Sequence, residues 1–300
     1  MKYGTIPHVD KQISKIVCGT DFLLGQSEDV SFAAYDTFWE LGGRAFDSAH
    51  CYGENSTVFG KWLASRGVAR ETVFLDKGCH PYGSPRVTYE AMGQDIDENH
   101  ARLGVGYTDL FVLHRDDESV PVGEIVDWLN DYRSRGLIGA FGGSNWRHHR
   151  IEEANDYATR TGKQGFSLNN PNLTLAQNSE PLWAGCLTID KVGRDWHEKT
   201  QFPLFSWSSM ARGYFAGTND PDVVRAYDNE VSRGRRNRVD QLANEKHVSS
   251  PQIAVAWVLN QPYPVFALTG LRTAEQVRDT LHALEIELSP ADLAWLEHGK

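Results

Sequence analysis

Residues 109–145 read DLFVLHRDDESVPVGEIVDWLNDYRSRGLIGAFGGSN. The first part, DLFVLHRD (109–116), is a short apolar run that ends in charge. The middle part, VGEIVDWLNDYRSRG, repeats apolar residues at three- and four-residue spacings and stops at a glycine, the pattern of an amphipathic helix. The last part, IGAFGGSN (138–145), is a second short run that ends in polar residues. Strand, helix and strand in this order make a β/α unit, whose two strands lie parallel.

The same alternation runs outward to both ends of the chain. Six further strands are predicted, at KIVCGTD (15–21), RAFDSA (44–49), VFLDKG (73–78), GFSLNNP (165–171), PLFSWSSM (203–210) and VFALTG (265–270), with helical segments such as DVSFAAYDTFWELGG and IEEANDYATRTG between strands. Eight such units without a linker-like break predict one α/β domain over residues 1–300, a single closed (β/α)8 TIM barrel, in preference to a doubly wound sheet. The segments from Pro221 to Gln261 predict two helices before strand eight, the second with Ser250 as N-cap ahead of Pro251. A last helix starts at Ser289–Pro290. These extra helices gather near the C-terminus.

Composition narrows the function. The chain has 300 residues, 40% of them apolar, nine tryptophans and a formal net charge of -10. A negative chain is poorly suited to gripping a phosphate backbone or an anionic membrane, so neither nucleic acid nor membrane is an expected partner. The basic cluster RGRRNR (233–238), flanked by acids, reads as a solvated helix face. There is no apolar leader and no run of about 18 apolar residues, so a cytoplasmic protein is expected. Cys18, Cys51, Cys79 and Cys186 lack ligand spacing and read as free thiols, with no metal expected. The acids of RDDE (115–118) and the adjacent His148 and His149 likewise lack the spacing of a shared metal site.

A barrel of this kind carries its chemistry where the strands end, and here nearly every strand ends in a polar residue. Strand two ends at Asp47 with Tyr52 five residues on, inside FDSAHCYGENS (46–56). Strand three ends at Lys77, strand four at His114, strand five at Ser144 and Asn145, strand six at Asn169 and strand seven at Trp207. Strand eight ends at Gly270, with Arg272 behind it. Singly, Asp47 reads as a helix cap, Lys77 as a snorkelling side chain and His114 as a structural histidine. Together they read differently, because adjacent strands two, three and four bring Asp, Tyr, Lys and His to one rim.

At these positions the chain resembles the aldo-keto reductase family over nearly its whole length. Asp47 and Tyr52 in DSAHCYG, Lys77 in FLDKG and His114 in LFVLH fall in order on that family's catalytic tetrad. GGSNW (142–146), FSWSSMARGYFAG (205–217) and LTGLRTAEQV (268–277) are similar to its cofactor-binding segments. The resemblance implies NADPH-dependent, reversible reduction of an aldehyde or ketone, with NADH less suited. Tyr52 would be the proton donor, its pKa lowered by Lys77, which Asp47 orients, and His114 would hold the substrate oxygen. It further implies that Ser144, Asn145 and Asn169 bind the carboxamide and that Trp207 stacks on the nicotinamide. Gly270, Arg272 and Gln276 would take the adenosine phosphate, with Gly19, Thr20, Ser208, Met210 and Arg212 completing the cofactor site. Arg272 can pair bidentately with a 2'-phosphate, which favours NADPH.

The sequence departs from the family at Trp207, Asn169 and Thr280, where tyrosine, glutamine and asparagine are frequent, and at Ser56, where an acid is. None of these positions belongs to the tetrad. The polar segment 169–197, with Trp183, Trp196 and His197, joins His50, Arg115, Asp116, Trp146 and Arg212 as candidate substrate contacts and suggests a hydroxylated, sugar-derived carbonyl. A monomer is the state the resemblance implies. Two other classes stand beside the reductase: a cofactor-sensing subunit of a larger assembly, with slow turnover, and a metal-dependent barrel hydrolase or isomerase.

Overall fold

Eight strands pair in parallel, each with its sequence neighbour, and the eighth pairs with the first to close the barrel. A computed structural model describes residues 1–21 and 26–299. The barrel strands are β1 (Ile16–Gly19), β2 (Ala45–Asp47), β3 (Val73–Gly78), β4 (Thr108–Leu113), β5 (Ile138–Ser144), β6 (Leu168–Asn170), β7 (Leu204–Ser206) and β8 (Val265–Thr269). Seven fall inside the predicted runs, and β4 begins one residue ahead of its run, at Thr108. The helices packed around them include α1 (Glu28–Glu40), α2 (Glu54–Arg66), α3 (Tyr89–Leu103), α4 (Val122–Ser134), α5 (His148–Thr161) and α6 (Lys191–Thr200).

Strand side chains alternate between the barrel interior and the helices. Val17, Ala45, Val73, Leu75, Leu110, Val112, Ala140, Leu168, Phe205, Phe266 and Leu268 form the interior cluster. Their neighbours Phe46, Phe74, Phe111, Leu113 and Phe141 pack outward among the helices. Inside, Phe205 and Phe266 stack at 4.4 Å. The same period of two carries on beyond the apolar layers. Asp47, Lys77, His114, Ser144 and Trp207 lie an even number of residues after inward Ala45, Leu75, Val112, Ala140 and Phe205. The sequence therefore turns these polar side chains onto one end of the barrel.

Two features differ from the sequence reading. An antiparallel hairpin of Tyr3–Gly4 with Ile13–Ser14 precedes β1, and its Ile6 and Ile13 join the interior cluster. Two-residue strands have too little periodicity to be read from sequence. Between β7 and β8 there are three helices instead of two: α7 (Pro221–Tyr227), α8 (Glu230–Lys246) and α9 (Ser250–Leu259). Asn229 caps α8 and thereby splits the first predicted helix. The cap of α9 is Ser249 and not Ser250, because Ser249 and Gln252 form a reciprocal capping box. After α10 (Ala274–Leu281), the last helix, α11 (Pro290–His298), begins at Ser289 as expected.

The basic cluster on α8 is less solvated than its composition suggests. Arg235 and Arg238 donate to the carbonyls of Glu297 and Leu296 at the end of α11, and Arg235 also donates to the carbonyl of Leu175. These cations satisfy helix-end carbonyls, which ties α11 to the barrel wall. Among the described residues, no helix is long and apolar enough to cross a membrane.

Candidate active site

Asp47, Lys77 and His114 end or follow β2, β3 and β4, and Tyr52 closes the short 3-10 turn His50–Tyr52 between β2 and α2. All four side chains line one cavity of about 1070 Å³ at the carboxyl end of the barrel. Lys77 Nζ pairs with Asp47 Oδ1 and donates to the carbonyl of Ser48 at 3.1 Å. Tyr52 donates to Asp47 Oδ2 at 3.4 Å, and its ring lies 4.9 Å from Lys77 Nζ. The Tyr52 and His114 rings meet edge to face at 6.4 Å.

The electrostatics correct one sequence expectation. Burial, and next the carboxylates of Asp47 and Asp21, push the Tyr52 hydroxyl well above the ordinary tyrosine range. Lys77 was expected to lower it, but the ammonium is committed to Asp47, so the pair brings little net positive charge to the phenol. Tyr52 therefore holds its proton at neutral pH. Burial, followed by the cations of Lys77 and Arg115, drives His114 well below the ordinary histidine range, so its imidazole is neutral. A protonated phenol and a neutral imidazole can both offer a hydrogen bond to a carbonyl oxygen. An alkoxide is a far stronger base than a phenolate, so transfer of the Tyr52 proton to it runs downhill.

The end of β5 is shaped by its glycines. A Cβ at Gly142 would stand 2.1 Å from the Leu168 carbonyl oxygen, and one at Gly143 would stand 2.3 Å from the Trp146 ring. Trp146 is thus fully buried over Gly143, against Phe166 at 4.9 Å, and points away from the cavity in which it was a candidate substrate contact. Asn145 has φ 63°, a left-handed conformation that asparagine tolerates. Its amide donates to the His114 carbonyl and Ser144 Oγ and accepts from Leu187 N and Trp207 Nε1. Ser144 donates to the carbonyl of Asn170 at 3.0 Å.

Asn169 does not reach the cavity. Inward-facing Leu168 sets the alternation on β6, so Asn169 turns outward to His197 at 3.3 Å and Asn170 faces in. Asn170 Oδ1, Thr20 Oγ1 and Arg212 Nε are buried without a hydrogen-bond partner. His197, expected near substrate, is instead a buried link that bonds the Phe202 carbonyl through Nδ1. Trp196 also lies outside, with its indole donating to Glu152. His50 is drawn off by the acids of α3, meeting Asp95 at 3.2 Å and Glu98 at 2.7 Å.

Gly19, Ser144, Asn145, Trp207, Ser208, Arg115 and Trp183 do line the cavity. Met210 packs into the neighbouring apolar cluster, and the Arg212 guanidinium lies 5.0 Å from the Trp183 ring. Gly270 follows β8, and beyond it the Arg272 backbone N–H donates to Gln276 Oε1 at the start of α10. One wall went unread in the sequence. Pro81, Tyr82 and Pro85, in the loop after β3, line the same cavity as Trp183 and Trp207. A proline and an aromatic residue directly after a barrel strand were the available signal. Among the described residues, no group of three or more His, Cys, Asp or Glu side chains is placed to hold a metal.

The buried state of His197 has a measurable consequence. Burial lowers its pKa from 6.5 to about 4. In acid the unfolded chain takes up a proton on this histidine before the folded one does. Stability is therefore lost as pH falls from the unfolded value through the folded one, by on the order of 3 kcal/mol for this group. In urea unfolding at pH 7 and pH 4.5, His197→Gln should show a smaller loss of stability on acidification than the unchanged protein. Equal losses would remove His197 from the explanation.

A sequence profile described as Aldo/keto reductase family matches residues 15–298. The versiconal hemiacetal acetate reductase of Aspergillus parasiticus is 24% identical, over 99% of this chain and 96% of its own length. An uncharacterised oxidoreductase of Bacillus subtilis is 24% identical over 99% of this chain and 95% of its own. The aryl-alcohol dehydrogenase [NADP(+)] of Phanerodontia chrysosporium is 23% identical over 90% of this chain and 75% of its own.

Proposed function

The chain belongs to the aldo/keto reductase family and is an oxidoreductase of carbonyl and alcohol groups, and from that premise we propose that it reduces an aldehyde or ketone with NADPH, reversibly, using Tyr52 as the proton donor. The observation that carries this reading is the meeting of Tyr52, Lys77, Asp47 and His114 in one cavity with the phenol held protonated. His114 orients the carbonyl oxygen, Tyr52 supplies the proton as charge develops there, and the Lys77–Asp47 pair fixes the acid beside it.

When bound, NADPH supplies the hydride. The chain has groups that suit it. Asn170 in place of Asn169, together with Ser144 and Asn145, takes the carboxamide, and the unpartnered Asn170 Oδ1 gives its amino group an acceptor. Trp207 offers the stacking face, with Gly19, Thr20, Ser208, Met210 and Arg212 around it. Gly270, Arg272 and Gln276 at the start of α10 receive the adenosine phosphate. Quenching of tryptophan fluorescence by NADPH tests this assignment. Arg272→Ala should weaken NADPH about tenfold or more and NADH much less, since a charge-assisted pair to a 2'-phosphate is lost. Equal weakening of both would move the 2'-phosphate elsewhere.

For the substrate, Tyr82, Trp183 and Trp207 present flat faces that fit an aryl carbonyl, in keeping with the name of the Phanerodontia relative. Arg115, Asp116, Asp117 and Glu118 on the same cavity favour a polyhydroxylated, sugar-derived carbonyl as the second reading. Comparing kcat/KM for an aryl aldehyde and a sugar aldehyde decides between them. A cytoplasmic monomer completes the proposal.

A further inference from the structure

We propose that Cys51 is a positioning residue for the carbonyl reduction put forward above: its thiol donates a hydrogen bond to Nδ1 of His114 and holds that imidazole in the tautomer that carries its proton on Nε2. Cys51 Sγ lies 3.6 Å from His114 Nδ1, within reach for a sulfur donor, and both residues line the cavity. The turn His50–Tyr52 carries Cys51 directly before Tyr52, so one 3-10 turn supplies both the acid and the group that orients the histidine.

The direction of the bond follows from the chemistry of the two groups. A neutral imidazole has one N–H donor and one strong nitrogen acceptor, whereas a thiol is a weak donor and a weaker acceptor. The arrangement S–H to N uses the strong acceptor, and N–H to S wastes it. Burial pushes the Cys51 thiol up to about 12, so it keeps the proton it must give. The charged and titratable groups acting on His114 are Lys77, Arg115 and His80, whose ring is 4.9 Å away, and all of them oppose a protonated ring. Among the described residues His114 Nδ1 has no other hydrogen-bond partner and Nε2 has none. With Nδ1 accepting, Nε2 must be the donor, as a carbonyl oxygen requires. The other tautomer would turn a lone pair on Nε2 toward the lone pairs of that oxygen.

The test uses the full chain labelled with 15N-histidine and compares the unchanged protein with Cys51→Val and Cys51→Ser. In the unchanged protein the His114 ring should show an unprotonated Nδ1 and a protonated Nε2. Cys51→Val should give a mixture of tautomers and a kcat lower by about five- to tenfold, with KM changed by less than about twofold. Cys51→Ser should restore both, because its hydroxyl can make the same donation. A protonated Nδ1 in the unchanged protein, or the same single tautomer in Cys51→Val, would overturn the proposal. The tautomer is read without turnover. If it behaves as expected while the protein reduces no carbonyl, the reductase reading fails and the positioning role fails with it, whereas a wrong tautomer in an active enzyme overturns the Cys51 role alone.

Discussion

Tyr52→Phe is expected to lower carbonyl reduction by about 10²–10⁴-fold, the contribution of a well-placed general acid, while NADPH affinity and thermal stability stay close to those of the unchanged protein. The substitution removes one oxygen and one long hydrogen bond, 3.4 Å to Asp47 Oδ2, and keeps the ring that faces Lys77 and His114. Because burial and nearby carboxylates hold the phenol protonated, the acid is ready throughout the neutral range, and reduction should not decline until the pH passes well above the ordinary tyrosine value. Steady-state NADPH oxidation over a pH series reads both features. A variant that keeps more than a tenth of the activity would remove Tyr52 from the role of acid.

The second large effect concerns the ion pair beneath it. Asp47 is 5% exposed and Lys77 4%, and each is the other's charged partner. Lys77→Met leaves a carboxylate buried without its cation, a change that costs about 3–5 kcal/mol in comparable sites. Lys77→Met should therefore be markedly destabilised in urea unfolding as well as inactive. The double substitution Asp47→Asn with Lys77→Met removes both charges and should recover much of the stability without recovering turnover. That separation matters, because it assigns the pair to the chemistry and not to folding. A single Lys77→Met variant as stable as the unchanged protein would show that Asp47 is rescued by water or by protonation.

The barrel was legible because it is written as repetition: a short apolar run and a helical period, eight times over, with a glycine at or just past the end of each of the first five helices. Asp47, Lys77 and His114 were legible for a related reason, since the period of two that buries Ala45, Leu75 and Val112 also turns the next inward residue to the cavity. Where that period was ambiguous, the reading failed. In the run LNN (168–170) either asparagine could face in, and only the inward packing of Leu168 decides for Asn170. His50 and His197 were misplaced because the groups that capture them, Asp95 and Glu98 for the first and Phe202 with Asn169 for the second, come from other elements. The protonated state of Tyr52 depends first on its burial and then on the carboxylates of Asp47 and Asp21 that the fold brings near it, which sequence order does not encode.

The most direct test is to supply NADPH carrying deuterium at the transferable position of its nicotinamide together with an aryl aldehyde, and to examine the alcohol formed. Expected is one deuterium on the carbinol carbon, with NADPH consumed in equal amount and the label nearly absent from the reaction of Tyr52→Phe. Alcohol formed without deuterium, or NADPH bound with no carbonyl ever reduced, would contradict the assignment of this cavity to hydride transfer from NADPH with Tyr52 as the acid.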